Sequence, residues 1–402
     1  MSSAVERFTA EVAVVGGGPA GLVSALALAA AGVETLLIAP PAAADHRTTA
    51  LLAGSVKALE TLGVWSACRP QAAPLRKIRI IDDTRRLMRA PETVFDAAEI
   101  DLEAFGYNIE NRHLLAALGA HAAALNLPRI SAVALAVKVD DAGATIVHAG
   151  GEVRVRLVVG ADGQRSLCRA AAGIVTTRHA YAQTAITLNL SHARPHNDTS
   201  TEFQTQSGPF TLVPLPGQRS SLVCVLDPET AGSLAAMSDA ELSAEIERRA
   251  HSLFGKINLE PGRGVFPLTI QTAGVFARAR IALVGEAAHV VPPIGAQGLN
   301  LGLRDSATIA EIVADARRQN RDVGAPEIVA RYDAQRRADI TSRTMAIDVL
   351  NRSLLTDFLP AQGARGLSLF LMDRFGPLRR AVMREGVTPG ISQPRLMRGE
   401  VV

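Results

Sequence analysis

Cysteine is scarce. The 402 residues hold three, Cys68, Cys168 and Cys224, spread too far apart for a disulfide framework or a metal-binding spacing. Such usage suits a reducing compartment. Aromatic residues make up 4% of the chain, and no basic run is interleaved with them, so a nucleic-acid partner has little support. Net charge is mild at +3, with a pI near 9.0. Internal repeats and low-complexity linkers are missing. An unbroken membrane-spanning run is missing as well. Val12 to Val33 carries no charge and has the length to cross a bilayer. Yet Gly16-Gly17-Gly18-Pro19 falls early in it and would break a spanning helix. The charges before this run are Glu6, Arg7 and Glu11, which do not form the basic head of a signal peptide. These absences lead us to expect a cytoplasmic protein with no transmembrane helix, metal or nucleic-acid partner.

What is present is ample core material. Hydrophobic residues are 48% of a chain long enough for about two to three domains. Glu11 to Val15 reads as a short strand. Gly16-Gly17-Gly18-Pro19-Ala20-Gly21 follows, then a helix from Leu22 to Ala31 ended by Gly32, then a strand from Val33 to Ala39. Strand, Gly-x-Gly-x-x-Gly, helix and strand is the order a dinucleotide site requires. Gly16 permits the turn, Gly18 lets backbone approach a pyrophosphate, and Gly21 lets the helix pack close. The helix N-terminus then faces the phosphates. One element is missing: the acid that usually ends the second strand is replaced by Ala39-Pro40, with Asp45 nearby but late. A dinucleotide ribose is then held by backbone and water, or affinity is modest.

From Asp45-His46-Arg47 onward the sequence predicts a helix. Pro74 to Ala104 holds β-like runs such as Lys77 to Ile81 and many charges, and reads as an excursion into a second domain. Gly106 to Leu115 predicts a return to helix. Val153 to Val159 is a strand running into Gly160-Ala161-Asp162-Gly163 and then Ser166 and Arg169. Thr184–Leu190, Phe210–Val213 and Ser221–Leu226 are apolar strands that suggest an antiparallel sheet. Ser238-Asp239-Ala240-Glu241 is a capping box for a helix to about Leu253. Arg263 to Ile270 is the last strand before the chain returns to the first domain. The second domain shows no nucleophile triad and no metal cluster; its strands either floor an apolar pocket or simply pack on each other.

The most informative stretch is Gly285-Glu286-Ala287-Ala288-His289-Val290-Val291-Pro292-Pro293-Ile294-Gly295-Ala296-Gln297-Gly298-Leu299-Asn300. A short buried strand precedes it. A helix from Gly298 to Gln319 follows, with Leu299, Leu303, Ile309 and Ile312 at helical spacing. The unpaired N–H groups at that helix start favour a flat ligand whose edge turns negative during its chemistry. A reduced flavin is such a ligand.

This stretch resembles the second flavin fingerprint of the aromatic-ring hydroxylases related to p-hydroxybenzoate hydroxylase. Glu286 departs from it, standing where the family has an aspartate on the ribityl chain of FAD. Gly160-Ala161-Asp162-Gly163 with Ser166 and Arg169 resembles the family's middle fingerprint. The resemblance covers nearly the whole chain. Gln297 to Asp305 and Pro377-Leu378-Arg379-Arg380 in the tail look like the ubiquinone-biosynthesis (UbiH-type) branch.

The resemblance implies an α/β fold: a Rossmann-like FAD-binding domain over 1–75, 105–180 and 271–345. An antiparallel-sheet substrate domain over 76–104 and 181–270 is interleaved with it, and a helical C-terminal region covers 346–402. It implies FAD held by Gly16, Gly18, Pro19, Ala20, Gly21, Arg47, Arg112, Asp162, Gly163 and Glu286. Gly298, Leu299 and Asn300 would offer N–H groups to the flavin edge, and Pro293 would shape the wall beside its reactive carbon. His289 belongs to the fingerprint and is expected to hold the loop; no base for the substrate is assigned. The implied reaction is hydroxylation of a polyprenylated phenol by O2, through a flavin C4a-hydroperoxide. NAD(P)H or a ferredoxin-type donor would supply electrons.

Pro326 starts a helix to about Asn351, whose Arg and Asp suggest a solvated face. Leu354 to Arg384 mixes apolar bulk with Arg365, Arg374, Arg379, Arg380 and Arg384. That mixture suits a helix on the inner membrane surface or on other ubiquinone-synthesis proteins, and equally a helix packed on its own protein. Two other functions stay open: the same chemistry on a small soluble aromatic, and a flavin-bearing scaffold subunit. A nicotinamide-dependent dehydrogenase would leave the 285–300 stretch and Asp162-Gly163 without a role.

Overall fold

The computed structural model describes residues 9–41, 45–84, 89–293, 295–355, 375–387 and 393–402, with side chains left out at 344 and 346–355. Among these residues three sheets form. At the centre of the first lies Ala10–Val15, parallel to Thr35–Ile38 on one side and to Gly151–Gly160 on the other. Ile281–Leu283 adds a further parallel strand. These strands are almost wholly buried, apart from the first half of Gly151–Gly160, as expected where helices cover a parallel sheet. Pro19–Ala30 has an uninterrupted buried run from Gly21 to Leu28. Sheet lies on one side of it and the helix Gln297–Arg318 on the other. The two helices are joined by a hydrogen bond from Ser24 Oγ to Ser306 Oγ at 2.8 Å.

The second sheet is mostly antiparallel. Its long central strand, Thr176–His192, pairs with Arg219–Leu226 and with Gly264–Ala273. Lys77–Asp82 and Thr93–Asp96, from the early excursion, join its far edge through Thr199–Gln204. The capping box at Ser238 and Glu241 forms and starts the helix Asp239–Arg249. The 284–296 segment bridges the two sheets. It leaves the first after Leu283, and His289–Val290 pairs with Gly264–Ala273 in the second. The architecture is thus the interleaved α/β arrangement expected, with helices near the C-terminus.

Three expectations are corrected. The residues after Arg47 do not start a helix. Thr48–Leu52 is a strand, paired antiparallel with Gly106–Glu110, and the helix begins only at Ala53. Gly106–Glu110 is likewise strand before helix Asn111–Ala124. The long helix Pro326–Leu355 is not simply solvated along its charged face. Arg336 on it is 3% exposed. Its Nε donates to Asp305 Oδ1 at 2.6 Å, and Asp305 is fully buried.

The tail divides. Phe358, Arg365, Leu367, Leu369, Phe370, Leu371 and Arg374 lie outside the described residues. The helix Gly376–Val387 packs one face on the protein. Met383 joins Phe95, Ile100 and Phe105 in a small core. Arg379 pairs with Glu99 at 2.7 Å and stacks over Phe95 at 4.4 Å. The other face leaves Phe375, Leu378 and Val382 exposed. The last residues then return to the first domain. Leu396 and Met397 are buried there, and Arg395 binds Asp315 at 2.6 Å.

Candidate active site

Two helix starts open on one cavity. The first is Pro19–Ala30, and the second is Gln297–Arg318. Neither has a side-chain cap, and neither carries an acid in its first turn. Their first N–H groups therefore lack partners within the helix, and their partial positive charge is not offset. The cavity has a volume of about 550 Å³, within the range of small-molecule sites. Gly18, Pro19, Ala20 and Gly21 line it, together with Glu286, Pro293, Gly298 and Leu299 and with residues of the second sheet such as Ile78, Val213 and Val223. A second cavity of about 600 Å³ shares Gly18, Pro19 and Arg47 with it and continues past Pro40, Asp45 and His46.

Local geometry explains the first turn. Gly16 has φ +121, and a Cβ there would lie 2.2 Å from the Ala161 carbonyl oxygen. A Cβ on Gly21 would lie 2.0 Å from the Gly16 carbonyl oxygen. Both positions are closed to any side chain. At Gly18 a Cβ would meet no protein atom within 4 Å. The space beside it belongs to the cavity, so packing against protein does not require bare backbone at that point.

The cradle helix begins one residue earlier than expected, at Gln297, after Ala296 in a left-handed conformation at φ 55. Gly298 and Leu299 keep unpaired N–H groups by helix geometry. Asn300 does not line the cavity and by the same geometry is the first residue whose N–H is paired. Its side chain is a clamp below the cradle. Oδ1 accepts from the Leu52 N–H at 2.9 Å and from Ser55 Oγ at 2.6 Å. Nδ2 donates to the Ala50 carbonyl at 2.8 Å and the Ala296 carbonyl at 2.6 Å.

Two further expected residues sit off the cavity. Arg112 is half exposed and pairs with Glu110 at 2.9 Å. Asp162 turns inward: its carboxylate accepts from Ser166 Oγ at 2.5 Å and from the Cys168 N–H at 3.0 Å. Gly163, next to it, does line the cavity. Arg47 lines both cavities and is bound to Asp45 through Nε at 2.9 Å and Nη2 at 2.8 Å. Burial opposes the Asp45 charge, but the hydrogen bonds from Arg47 and Asn111 hold its carboxyl below the usual range.

A buried polar network, unseen from sequence, supports the cradle. His289 Nε2 lies 2.7 Å from Asp305 Oδ2, and the Gly285 N–H donates to the same oxygen at 2.9 Å. Arg336 occupies the other oxygen and also donates to Asp339 at 2.6 Å. Burial works against the Asp305 charge, yet His289 and Arg336 keep its carboxyl below the ordinary range. The network locks the 285–289 turn to the helix that follows it. The signal was the Arg304-Asp305 pair within the first, buried half of the helix.

The residues present fit a bound flavin dinucleotide: bare backbone at Gly18, two uncapped helix starts and one continuous cavity between them. Comparisons with known proteins agree. The FAD binding domain family matches residues 9–346. Ubiquinone hydroxylase UbiL of Rhodospirillum rubrum is 37% identical over 97% of this chain and 93% of its own length. The 3-demethoxyubiquinol 3-hydroxylase of Escherichia coli is 32% identical over 93% of this chain and 97% of its own. Among solved structures, p-nitrophenol 4-monooxygenase PnpA of Pseudomonas putida aligns with TM-score 0.76 at 21% identity, over 96% of this chain and all of the other. HpxO of Klebsiella pneumoniae, complexed with FAD and uric acid, aligns with TM-score 0.74 at 18% identity, over 95% and 97%. With the fold, the cradle and these relatives in agreement, the chain belongs to the FAD-binding family of monooxygenases that includes the ubiquinone hydroxylases.

Proposed function

We propose that this protein hydroxylates the aromatic ring of a polyprenylated phenol on the way to ubiquinone. The observation that carries the reading is the first cavity. Two uncapped helix starts open on it at one side, and the sheet of the second domain closes it at the other. The two relatives named above are ubiquinone-pathway hydroxylases by name, and this chain spans nearly all of each.

Gly16, Gly18, Pro19, Ala20 and Gly21 would hold the pyrophosphate of FAD against the first helix start. Arg47 and Glu286 would flank its ribityl chain. Bound FAD supplies the activation of O2 and the transfer of one oxygen atom. The N–H groups of Gly298 and Leu299 would stabilise negative charge on the flavin edge. A helix end contributes about 0.3–2 kcal/mol to such an anion, more where water is excluded. Pro293 shapes the wall beside the reacting centre. Asn300 and Asp305 hold the cradle in place without lining the cavity, and Asp162 does the same for the Gly163 turn. Arg112 pairs with Glu110 away from the cavity. Electrons come from NAD(P)H or a ferredoxin-type donor.

Leu75, Ile78, Phe105, Val213 and Val223 give the far wall its apolar character, suited to a prenylated ring. Phe105 also packs in the small core beneath the helix Gly376–Val387. Phe375, just before that helix, and Leu378 and Val382 on it are exposed and, with Arg380 and Arg384, would form a surface that rests on the inner face of a membrane. No helix among the described residues is long and apolar enough to cross one.

Extracted quinone intermediates from a deletion strain test the reading. A prenylated phenol lacking one hydroxyl should accumulate; an unchanged profile excludes this pathway.

A further inference from the structure

Four titratable side chains line the first cavity: Arg47, Glu202, Glu286 and His289. Three have evident tasks. Arg47 is held by Asp45, and His289 by Asp305. Glu286 sits in the turn after Gly285, on the dinucleotide side. Glu202 is left over, on a strand of the second sheet.

Glu202 lies in the middle of Thr199–Gln204, between Ile80 on one neighbouring strand and Thr211 on the other. Alternation along the strand places Ser200 and Glu202 on the cavity face, beside Ile78, Val213 and Val223. Thr211 Oγ1 donates to Glu202 Oε2 at 3.5 Å, a long bond. No cation pairs with Glu202 among the described residues. The polar groups acting on it are the side chains of Gln204 and Thr211, both uncharged. It is part-buried at the cavity, and that burial pushes its carboxyl above the ordinary range. An unpaired carboxylate on an apolar wall costs stability. Strand pairing does not need it, since pairing uses backbone. A carboxyl that lines a cavity, has no cationic partner among the described residues and is made more basic by burial is suited to taking up a proton from a bound ligand.

We propose that Glu202 is the general base that removes the proton from the substrate's phenolic hydroxyl, a role that rests on the hydroxylase reading above. The O–H bond of the phenol breaks, and an O–H bond forms on the Glu202 carboxylate. The electron pair stays on the phenolic oxygen and is shared into the ring, which makes the ring carbons more nucleophilic toward the incoming oxygen. As the ring regains aromaticity, the carbon that took up oxygen releases its hydrogen as a proton to solvent. The proton held by Glu202 returns to the product's phenolic oxygen, which regenerates the carboxylate. The step consumes no further reactant. It requires the carboxylate form, so the rate rises as pH climbs through the raised pKa of Glu202.

The test uses the full-length, FAD-loaded protein with Glu202→Gln and Glu202→Asp, and two probes. p-Methoxyphenol is un-ionised in the assay buffer, whereas p-nitrophenol is chosen because it is already largely ionised. Glu202→Gln should retain FAD and bind both probes as the native protein does. Its hydroxylation of p-methoxyphenol should fall by about 10²–10⁴-fold, the usual contribution of a positioned base. Its rate on p-nitrophenol should change far less, the acid limb of the pH profile should vanish, and Glu202→Asp should recover part of the rate. An equal loss on both probes, or no loss on either, overturns the proposal. A readout independent of turnover separates this test from the function itself. The infrared band of a protonated carboxyl should respond to phenol binding in the native protein and be missing from Glu202→Gln. If that band responds but no phenol is hydroxylated, the hydroxylase reading fails and the Glu202 proton site stands. If the band ignores the phenol, Glu202 is not the base.

Discussion

Asn300 Oδ1 accepts a hydrogen bond from the backbone N–H of Leu52 at 2.9 Å, across 248 residues of chain. This bond fastens the strand after Arg47 to the helix start that forms the flavin cradle. The same amide holds Ser55, Ala50 and Ala296. Asn300→Ala leaves several buried groups unsatisfied, each costing about 1–3 kcal/mol. The variant should be less stable in urea and should bind FAD more weakly. A variant with native stability and native FAD affinity would show that the clamp carries no load.

Asp305 gives a pH-dependent prediction. Its folded pKa is depressed, because His289 and Arg336 outweigh its burial. A depressed carboxyl contributes stability above its unfolded pKa, and that contribution is lost as pH falls through the folded value. Asp305→Asn should therefore destabilise the protein at neutral pH, by about 3–5 kcal/mol where a buried pair is broken from one side. The deficit should shrink toward acid pH. Denaturant melts across the acid range check this; a deficit constant with pH would contradict it.

Gly18→Glu separates folding from binding. A Cβ at Gly18 meets no protein atom within 4 Å, so the fold should tolerate the change. A negative side chain beside the proposed pyrophosphate position should abolish FAD binding. The purified variant should be colourless yet melt like the native apoprotein. Retention of native FAD affinity would refute the placement of the phosphates.

Membrane association should depend on the exposed face of the helix Gly376–Val387. Replacing Leu378 and Val382 together by glutamate changes exposed positions and leaves Met383 and Arg379 in their packing. The double variant should float less with anionic vesicles while keeping its FAD. Unchanged flotation would make this face ordinary surface. Removing the whole tail is a poorer test, because Leu396 and Met397 are buried against the FAD-binding side.

Much of the site was legible in the sequence because its signals are local. The Gly16–Gly21 turn and the 285–300 cradle each announce themselves by backbone requirements within a few residues. What was not legible depended on distant partners. Thr48–Leu52 is a strand because Gly106–Glu110 pairs with it, and its β-branched Thr48 and Thr49 were a weak hint. Arg336 looked solvated by composition, yet its partner Asp305 is 31 residues away in a buried helix. The motifs that place Arg112 and Asp162 near the cofactor do not reveal that their side chains contact Glu110 and Ser166. Glu202 gave no signal at all, since a polar residue in an alternating strand normally faces water.

The most direct measurement is hydroxylation by the purified protein under isotopically labelled O2. The protein would be given FAD, a reductant and a short-chain prenylated phenol. One labelled oxygen atom should appear on the ring of the product, with turnover lost in Gly18→Glu. Reductant consumption that yields hydrogen peroxide alone with every prenylated phenol, or a product carrying no label, would contradict the account.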